Sequence, residues 1–535
     1  MSKLQLKLDG TRASDNVILG MVCAIEASLT TDQPVAWRDV KLGLARNLIT
    51  DEGLTSMIRS LGRCPQLVRL TLDLTENQDI RHPEKLDRML GALGHIPSLH
   101  IRLDTLFCYI PLKQTSDEDM LPMPDVRTFS CSLLRHQIFP GALRIPHRLV
   151  HLCLDISQSQ LMGTMDKELA GFRTLGQALM ATAATLQNLT LGMGHMQMTD
   201  ATFVYFCSVG LSPLIRLRRL SLDTACNQLT DIGVDALQHA LLSPTMQHLE
   251  WKLCFNVDVR AVHLHAAPCL RVVLLNVCGT RVAHIQLPAQ VAHLMVDSHR
   301  SMWSSPPPMF ISGVDAVQRL TLELNGNTAS ILRHITEKRG AMKIDLRLDL
   351  HKICPAAMDR VLGSIIRFGK ADMLQRLQFT QPDRPYIDVT RRLSSVLSVC
   401  RDLLSLRLEL LSAIGLCEIL TSVGHDLVHL VYFHLRVKAL RDTIERPTVA
   451  PCMLLAQDEH HRVLRVVFLD FPDIDLTDEA VALLVDAAVQ RCEKNPRNVN
   501  TLKVEGSSVG VCAFAALSVW VTFVFCDFCE KYKCM

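Results

Sequence analysis

The sequence predicts an α/β solenoid built from about 18 repeats, each containing a strand that is usually followed by a helix. Two patterns indicate this fold. The string Leu-x-x-Leu-x-Leu recurs along the chain, and a Ser/Thr-Asp pair that favours a helix start follows it at a constant distance. The length of 535 residues agrees with an extended array, because it exceeds what one compact core usually contains.

The composition excludes several classes of protein. Hydrophobic residues make up 48% and charged residues 21%, which is typical of a folded chain rather than a disordered or collagen-like one. The net charge of +2 gives no general attraction to nucleic acid or to an anionic membrane. The 19 cysteines are odd in number and scattered through apolar strings, so we expect free thiols and a cytoplasmic location.

Each repeat is defined by apolar residues at positions 0, 3 and 5 of a frame. Eighteen frames fit, starting at Met1, Trp37, Leu67, Ile96, Val126, Leu149, Leu186, Leu217, Met246, Leu270, Val291, Val317, Lys343, Leu374, Leu403, Leu427, Leu464 and Val499. Their spacing runs from 21 to 37 residues, and position 0 fails only at Lys343. Apolar residues at 3 and 5 predict a strand with one buried face, so even positions face outward.

Helix starts and a recurring asparagine follow the predicted strands. The Ser/Thr-Asp pairs stand 13 and 14 residues after a frame start, at Ser14-Asp15, Thr50-Asp51, Thr199-Asp200, Thr230-Asp231 and Thr477-Asp478. Ser or Thr there is expected to cap the helix, and Asp to suit the positive end of its dipole. Asparagine occupies position 10 at Asn47, Asn77, Asn227, Asn256 and Asn327, where its amide can bond the backbone of the adjacent coil.

The combined pattern L-x-x-L-x-L-x-L-x-x-N-x-(I/L)-T-D-x-G resembles the leucine-rich repeat of the ribonuclease-inhibitor-like, cysteine-containing subclass. Asn47 to Gly53 and Asn227 to Gly233 match it best, and the resemblance covers residues 1–508. It implies a horseshoe with parallel strands on the concave face and helices on the convex face. The frames from Met246 to Val291 are only 21 to 24 residues apart, so we expect those coils to carry a turn or a short helix.

Two exposed positions of the repeat are enriched in charge. Position 6 is acidic in nine of 18 frames, whereas the composition alone predicts about two. These acidic residues are Asp73, Asp155, Asp223, Asp297, Glu323, Asp349, Glu409, Asp470 and Glu505. Position 2 is basic or histidine at Lys3, Arg69, His151, Arg219, His248, His293, Arg319, Arg376 and His429.

These two columns give the predicted binding surface. Like charges on strands about 4.8 Å apart repel, so the acidic column favours a protein partner with basic residues. The candidates for protein binding are Asp73, Asp155, Asp223, Asp297, Glu323, Asp349, Glu409, Asp470, Arg69, Arg219, His248, Arg319 and Arg376. The alternative is a solvated face that provides solubility, with help from Arg347 and Arg407 at position 4.

Motifs for catalysis, cofactors or metals are missing from the sequence. It contains no GxxxxGK(S/T) loop, no G-x-S-x-G elbow and no H-E-x-x-H. His263-x-His265, Glu459-His460-His461 and Cys526-x-x-Cys529 each lack a second ligand pair at zinc spacing. We therefore expect no enzyme activity, no cofactor and no metal, and the lack of basic patches with interleaved aromatics argues against nucleic acid.

Three long inter-strand segments and the C-terminus depart from the repeat. Residues 104–125, 299–313 and 435–462 are expected to protrude as loops, either as binding elements or as tolerated insertions. Val509 to Cys526 is 18 residues without a charge, the lower limit for a membrane span. The tail 509–535 is therefore a membrane anchor, a buried last element or an error in the gene model.

The sequence thus predicts a non-catalytic scaffold that binds a protein partner through the concave face of a solenoid formed by residues 1–508. An adaptor anchored in a membrane through residues 509–526 is the alternative function and the alternative location. An enzyme with an unrecognised site in the insertions is a more remote alternative.

Overall fold

The structure is a computed structural model. It describes residues 2–30, 37–77, 80, 92–104, 126–134, 148–158, 165–298, 309–325, 342–349, 355–370, 372–380, 387–410, 416–437, 443–444, 466–476 and 501–508. The chain divides into two compact units, Met1–Val291 and Ala292–Met535, of which only these residues are described. The two units contain the same repeating motif.

Unit 1 has a sheet of parallel strands in which each strand pairs with the next repeat. Its strands are β1 (Ser2–Lys7), β2 (Trp37–Gly43), β3 (Arg69–Asp73), β4 (Ser98–Asp104), β5 (Thr128–Leu134), β6 (His151–Asp155), β7 (Asn188–Gly192), β8 (Arg219–Asp223), β9 (His248–Lys252), β10 (Ala261–His263), β11 (Val272–Asn276) and β12 (His284–Gln286). Its helices are α1 (Asp15–Thr30), α2 (Asp51–Gly62), α3 (Met165–Met180), α4 (Asp200–Phe206) and α5 (Asp231–Ala240).

Unit 2 repeats this arrangement with parallel pairing between successive repeats. Its strands are β13 (His293–Asp297), β14 (Phe310–Ser312), β15 (Arg319–Asn325), β16 (Lys343–Asp349), β17 (Leu374–Thr380), β18 (Ser405–Leu410), β19 (Tyr432–Val437), β20 (Thr443–Ile444), β21 (Val466–Leu476) and β22 (Thr501–Ser508). Its helices are α6 (Pro355–Lys370), α7 (Ile387–Leu397) and α8 (Leu416–Asp426).

The repeated strand and helix pattern is the α/β solenoid of a leucine-rich-repeat protein, as predicted. Parallel strands from consecutive coils pair in register, and successive helices pack on one another behind them. The number of 18 repeats stays a prediction, since the segments between some of the strands, such as 326–341 and 477–500, lie outside the described residues.

Burial in the strands follows the predicted alternation. In β3, Leu70 and Leu72 are fully buried, whereas Arg69 at the start of the same strand is exposed. Each fully buried leucine stabilises the fold by about 1.5–3 kcal/mol relative to an exposed one. Because the described strands of the main sheet repeat this pattern of buried side chains, the described core of each unit is an apolar column.

The position-10 asparagines join each coil to its neighbour. The Asn227 amide nitrogen donates to the carbonyl oxygens of Met193 and Thr224, at 2.9 and 3.0 Å, and its oxygen accepts from the N–H groups of Met196 and Met198. Asn47, Asn77 and Asn256 make equivalent bonds. The predicted role of these side chains is confirmed, while Asn327 lies outside the described residues.

The Ser/Thr-Asp pairs cap helices, as predicted, and they also join neighbouring coils, which the sequence did not predict. Thr50 and Thr230 cap their helices, because each hydroxyl accepts the N–H two residues on. The aspartate after the cap bonds the next such pair along the solenoid: Asp200 accepts from the backbone N–H and hydroxyl of Thr230, at 2.9 and 2.6 Å. Asp15 binds Thr50 in the same way.

A glycine in the first helical turn makes room for this aspartate. A Cβ atom at Gly233 would lie 2.5 Å from the Asp200 carboxylate, and one at Gly53 would lie 2.1 Å from that of Asp15. The Thr-Asp-x-Gly motif is therefore a contact between two coils. One predicted cap differs, since Thr199 bonds the Thr202 hydroxyl and caps no backbone N–H.

The coils between Met246 and Val291 differ from the prediction of a turn or short helix. Behind the main sheet, β10 and β12 are three-residue strands that pair in parallel, Ala261 with His284 and His263 with Gln286. A strand spans more distance per residue than a helix, about 3.3 Å against 1.5 Å, so it closes a short coil with fewer residues.

Two of the predicted frames are displaced. In the structure Lys343 lies opposite Arg319, so the buried residues of β16 are Ile344, Leu346 and Leu348. The frame at Leu427 is displaced by three residues, because β19 starts at Tyr432. An odd displacement reverses inside and outside, so the prediction that Tyr432 is buried in the core was wrong.

The predicted loops are only partly described. Residues 105–125, 299–308, 438–442 and 445–462 lie outside the described residues, whereas Phe310–Ser312 forms the strand β14. The tail 509–535 also lies outside them, so the boundary at 508 stays a prediction. Within the described part of the chain, no helix is long and apolar enough to cross a membrane.

Candidate protein-binding surface

The outward side chains of each sheet form a surface that we call the open face. It carries positions 2, 4 and 6 of every repeat, while positions 3 and 5 are buried. Several of its side chains are exposed, for example Arg69, Thr190, Arg219 and Lys252 in unit 1. Both predicted charge columns belong to this surface.

In unit 1 the predicted acidic residues end their strands and bond the loop that follows. Asp73 accepts from the backbone N–H and the hydroxyl of Thr75, at 3.2 and 2.8 Å. Asp155 and Asp223 likewise accept a backbone N–H two residues further on, at 3.0 and 3.1 Å. A short acidic side chain at this position therefore stabilises the turn out of the strand.

The unit 1 columns are also interrupted by other residues. Arg102 on β4 lies 3.1 Å from Asp73, and Lys252 on β9 lies 3.4 Å from Asp223. Gly192 stands between Asp155 and Asp223, so no two of these carboxylates occupy neighbouring strands. The predicted repulsion within the column is avoided by this alternation.

The basic column of unit 1 has the gaps that the frames predict. Arg69 lies 3.7 Å from Asp39, and Arg219 stands beside His248 on the neighbouring strand. Between Arg69 and Arg219 the structure places Ser98, Thr128, His151 and Asn188 at the same position. These candidates stay predictions of protein binding, but they do not form one continuous basic strip.

In unit 2 the open face is a network of ion pairs. Arg347 lies 3.1 Å from Glu323, Arg407 lies 2.8 Å from Glu409, and Arg436 lies 3.2 Å from Asp470. Asp297 is buried at the end of β13, beside Glu323. Four of the predicted acidic residues therefore stay on this face, three of them beside an arginine.

Asp349 keeps its predicted row on only one side of its strand, where it stands opposite Thr380, which in turn pairs with Glu409. Its strand is displaced by two residues relative to β15, so Arg347 stands opposite Glu323, and Asp349 stands opposite Asn325. His429 also leaves the basic column, because it lies in the turn before β19 and Tyr432 takes its place on the strand. The acidic column is consequently broken by an arginine at β16.

Sequence reasoning named Arg319 and Arg376 as candidates but missed the grouping of side chains into two clusters on this face. The first is the basic cluster, which we define as Arg319, Lys343 and Arg376 around the buried carboxylate of Asp345. Arg319 donates to Asp345 at 2.7 Å, and the Arg376 Nε atom lies 3.8 Å from the same carboxylate. Lys343 donates to the carbonyl oxygen of Asp372 at 3.2 Å. The correct register of β16 would have predicted this grouping.

The second feature is the aromatic cluster, which we define as Tyr432, His434 and Phe468. The ring centroids of Tyr432 and Phe468 lie 5.9 Å apart, and those of His434 and Phe468 lie 5.7 Å apart. All three side chains are half-buried on the open face of β19 and β21. Phe433, Leu435 and Val437 alternate in the same strand, and that alternation was the signal for the correct register.

The electrostatics of the open face follow from these positions. Burial and the Arg319 guanidinium lower the pKa of His293, because a second positive charge is unfavourable there. Burial, followed by the charges of Arg69 and Lys41, lowers the pKa of His100. Both histidines are thus favoured in their neutral form.

The described thiols and histidines give no sign of catalytic chemistry. Burial raises the pKa of Cys400 to about 12 and also raises that of Cys207, so neither is an activated nucleophile. His263 lies 3.0 Å from Asp235, and its ring is 6.0 Å from that of His284. No group of three His, Cys, Asp or Glu residues within the described ranges is arranged to hold a metal ion.

Comparison with known proteins adds little to this description. No family model and no curated protein matches the chain. Among solved structures it is similar to an internalin from Listeria monocytogenes, at 10% sequence identity and a TM-score of 0.24, over 85% of this chain and 93% of that chain. The leucine-rich-repeat class is defined by the strand register and the asparagine bonds described above.

Proposed function

We propose that the chain is a non-catalytic scaffold that binds a protein partner on the open face of its sheets. The observation that carries this proposal is the burial alternation, which points every second strand residue away from the core. The result is a broad array of side chains held by a regular backbone, and repeat proteins commonly bind partners on such surfaces.

The finer assignments rest on the same residues. The Thr-Asp-x-Gly contacts of α2 and α5 support the ribonuclease-inhibitor-like subclass, while the short coils with β10 and β12 depart from it. A cytoplasmic location is supported by buried thiols such as Cys207 and Cys400. A basic partner stays a hypothesis, because the unit 1 carboxylates that suggested it already bind the loop backbone.

Site-specific cross-linking in cells tests which face binds. A photoreactive p-benzoylphenylalanine replaces Thr190, an exposed residue of the open face on β7, in the full chain. The matched variant carries the same group at His239, an exposed residue of α5 on the helix side. A third variant carries the group at Ser405 on β18, in the open face of unit 2. We expect a defined cross-linked product from Thr190 and from Ser405, and a much lower yield of that product from His239.

The opposite pattern would contradict the proposal. Cross-links formed at His239 and missing at Thr190 and Ser405 would move the binding surface to the helix side. An equal yield of cross-linked product at all three positions would show that proteins collide with the chain without binding a specific face. Because the group is placed at solvent-accessible side chains, each variant is expected to keep the fold.

A second candidate function is an adaptor anchored in a membrane. It rests on the uncharged run from Val509 to Cys526, which is long enough for a short span. Alkaline extraction of membranes from cells that express the full chain tests it. A pelleted chain that becomes soluble when residues 509–535 are deleted would support the anchor, and a soluble full chain would refute it.

A further inference from the structure

We propose that the open face of unit 2 binds a protein segment in which an acidic side chain and a large apolar side chain lie about 10–14 Å apart. The acidic side chain meets the basic cluster around Asp345, and the apolar side chain packs on the aromatic cluster. This inference rests on the proposed function and adds the place and the chemistry of the partner.

The basic cluster carries an excess of positive charge. Asp345 is one carboxylate, and it is buried between two arginines whose side chains remain 49% and 62% exposed. A single carboxylate neutralises one guanidinium, so Arg319 and Arg376 together leave one positive charge. Lys343 adds a second, because its ammonium donates to the uncharged carbonyl of Asp372. Burial lowers the pKa of His293, and the charge of Arg319 lowers it further.

The ion pairs nearby do not cancel this charge. Arg347 with Glu323 and Arg407 with Glu409 are each neutral as pairs. A partner that approaches this part of the open face therefore encounters the net positive charge of the basic cluster. Arginine binds carboxylates through parallel N–H bonds, which suits an acidic segment.

The aromatic cluster supplies an apolar anchor point. Phe, Trp and Tyr together are only 5% of the chain, yet Tyr432 and Phe468 meet each other and the His434 ring on this part of an outward surface. Tyrosine and phenylalanine are enriched at the centre of protein interfaces, where they exclude water and carry much of the binding energy. The rings already contact one another, so little side-chain entropy is lost when a partner packs on them.

The register fixes the distance between the two clusters. Arg376 pairs with Ser405, and Ser405 pairs with Tyr432, so two strand spacings separate the arginine from the tyrosine. Asp345 lies one strand further away. At about 4.8 Å per strand this gives about 10–14 Å, which an extended partner segment spans with three or four residues.

Peptide selection with the full chain tests the proposal. A phage-displayed library of random 12-residue peptides is selected on the immobilised protein, and enriched peptides are synthesised with a fluorescent label. We expect Asp or Glu three or four positions from Leu, Ile, Phe or Trp. Changing Tyr432→Thr and Phe468→Thr together should weaken peptide binding about tenfold or more, as should Arg376→Gln alone.

Matched variants separate this surface from general effects. Arg102→Gln removes an arginine with 59% exposure that also pairs with a carboxylate, but on the open face of unit 1. Phe310→Thr removes a phenylalanine with 41% exposure from β14 of unit 2, outside the aromatic cluster. Both should change the Kd of the peptides by less than about twofold.

Three results would overturn the proposal. They are a library that yields no binder, binders without the acidic and apolar pair, and binders whose Kd is unchanged by both test variants. A cross-link from Thr190 that persists in the double variant would then leave the proposed function standing and reject only this surface. Because Arg376→Gln changes one exposed side chain, it tests the proposal even if the double variant unfolds.

Discussion

The open faces of the two units use the same repeat positions differently. In unit 1, Asp73 and Asp223 end their strands and accept backbone N–H groups of the next loop. In unit 2, Glu323 and Glu409 also lie beside a basic side chain, as Asp73 and Asp223 do, but the surrounding face carries a basic and an aromatic cluster. A regular spacing of acidic residues along the repeats therefore does not identify a binding surface. Their partners decide whether the acids stabilise the turn or face another protein.

This comparison predicts that substitutions in unit 1 alter stability, whereas substitutions on the open face of unit 2 alter binding.

The largest effect on stability is expected for Asn227→Ala. The N–H groups of Met196 and Met198 and the carbonyl of Met193 lose their partner in a buried place, while the Thr224 carbonyl keeps its bond from Asn256, so we expect the local free energy of unfolding to fall by about 3 kcal/mol.

Hydrogen exchange at the Met196 and Met198 amides measures this change, since both donate to Asn227. Asn188→Ala on the open face is the control and should cost less than about 0.5 kcal/mol. Unchanged protection of the two amides in Asn227→Ala would show that the asparagine bonds do not hold the coils together.

The next effect is expected at Gly233. The added methyl group of Gly233→Ala would lie 2.5 Å from the Asp200 carboxylate and push it away from Thr230, at a cost of about 1–3 kcal/mol. Gly20→Ala in α1 has no atom within 4 Å of its new Cβ and should stabilise the helix by about 0.5–1 kcal/mol. Chemical denaturation measures the free energy of unfolding of both variants. A change of the same sign in both would contradict the proposed contact between coils.

A smaller effect is expected for Asp223 and separates its two possible roles. Asp223→Ala loses the bond from the Ala225 N–H and should lower stability by about 1 kcal/mol, whereas Asp223→Asn keeps an acceptor and should change it by less than about 0.5 kcal/mol. Asp223→Asn should also leave the cross-link from Thr190 intact. Loss of that cross-link would show that the Asp223 carboxylate contributes to partner binding.

The smallest effect concerns pH and His293. Its folded-state pKa is lower than the unfolded value of about 6.5, so its stabilising contribution is present above pH 6.5 and is lost as pH falls below that value. NMR titration of the full chain should show the His293 pKa rising in Arg319→Gln, since a cause of the lowering is removed. Arg102→Gln serves as control, and an equal rise there would exclude Arg319 as the cause.

The sequence predicted the class of fold because each repeat carries its own signal. The Leu70 and Leu72 pair, the cap at Thr230 and the amide of Asn227 are all local patterns, and each has the predicted environment. The coils with β10 and β12 were not predicted, because a coil that is too short for a helix can be closed in more than one way.

The candidate surface was predicted less well, for a physical reason. Whether Asp73 is neutralised depends on Arg102 of the next strand, which a single frame does not contain. At Leu427 two apolar series overlap, and only the run of Phe433, Leu435 and Val437 favours the observed register. The three-residue error there hid Tyr432 and His434 from the open face and with them the aromatic cluster.

The most direct test is the Kd of one selected peptide for three forms of the full chain. They are the unchanged protein, a unit 1 variant with Asp73→Asn and Asp223→Asn, and a unit 2 variant with Tyr432→Thr and Phe468→Thr. We predict a change of less than about twofold for the unit 1 variant and about tenfold or more for the unit 2 variant. Tenfold weakening by the unit 1 variant with unchanged binding by the unit 2 variant would contradict this assignment of the two faces.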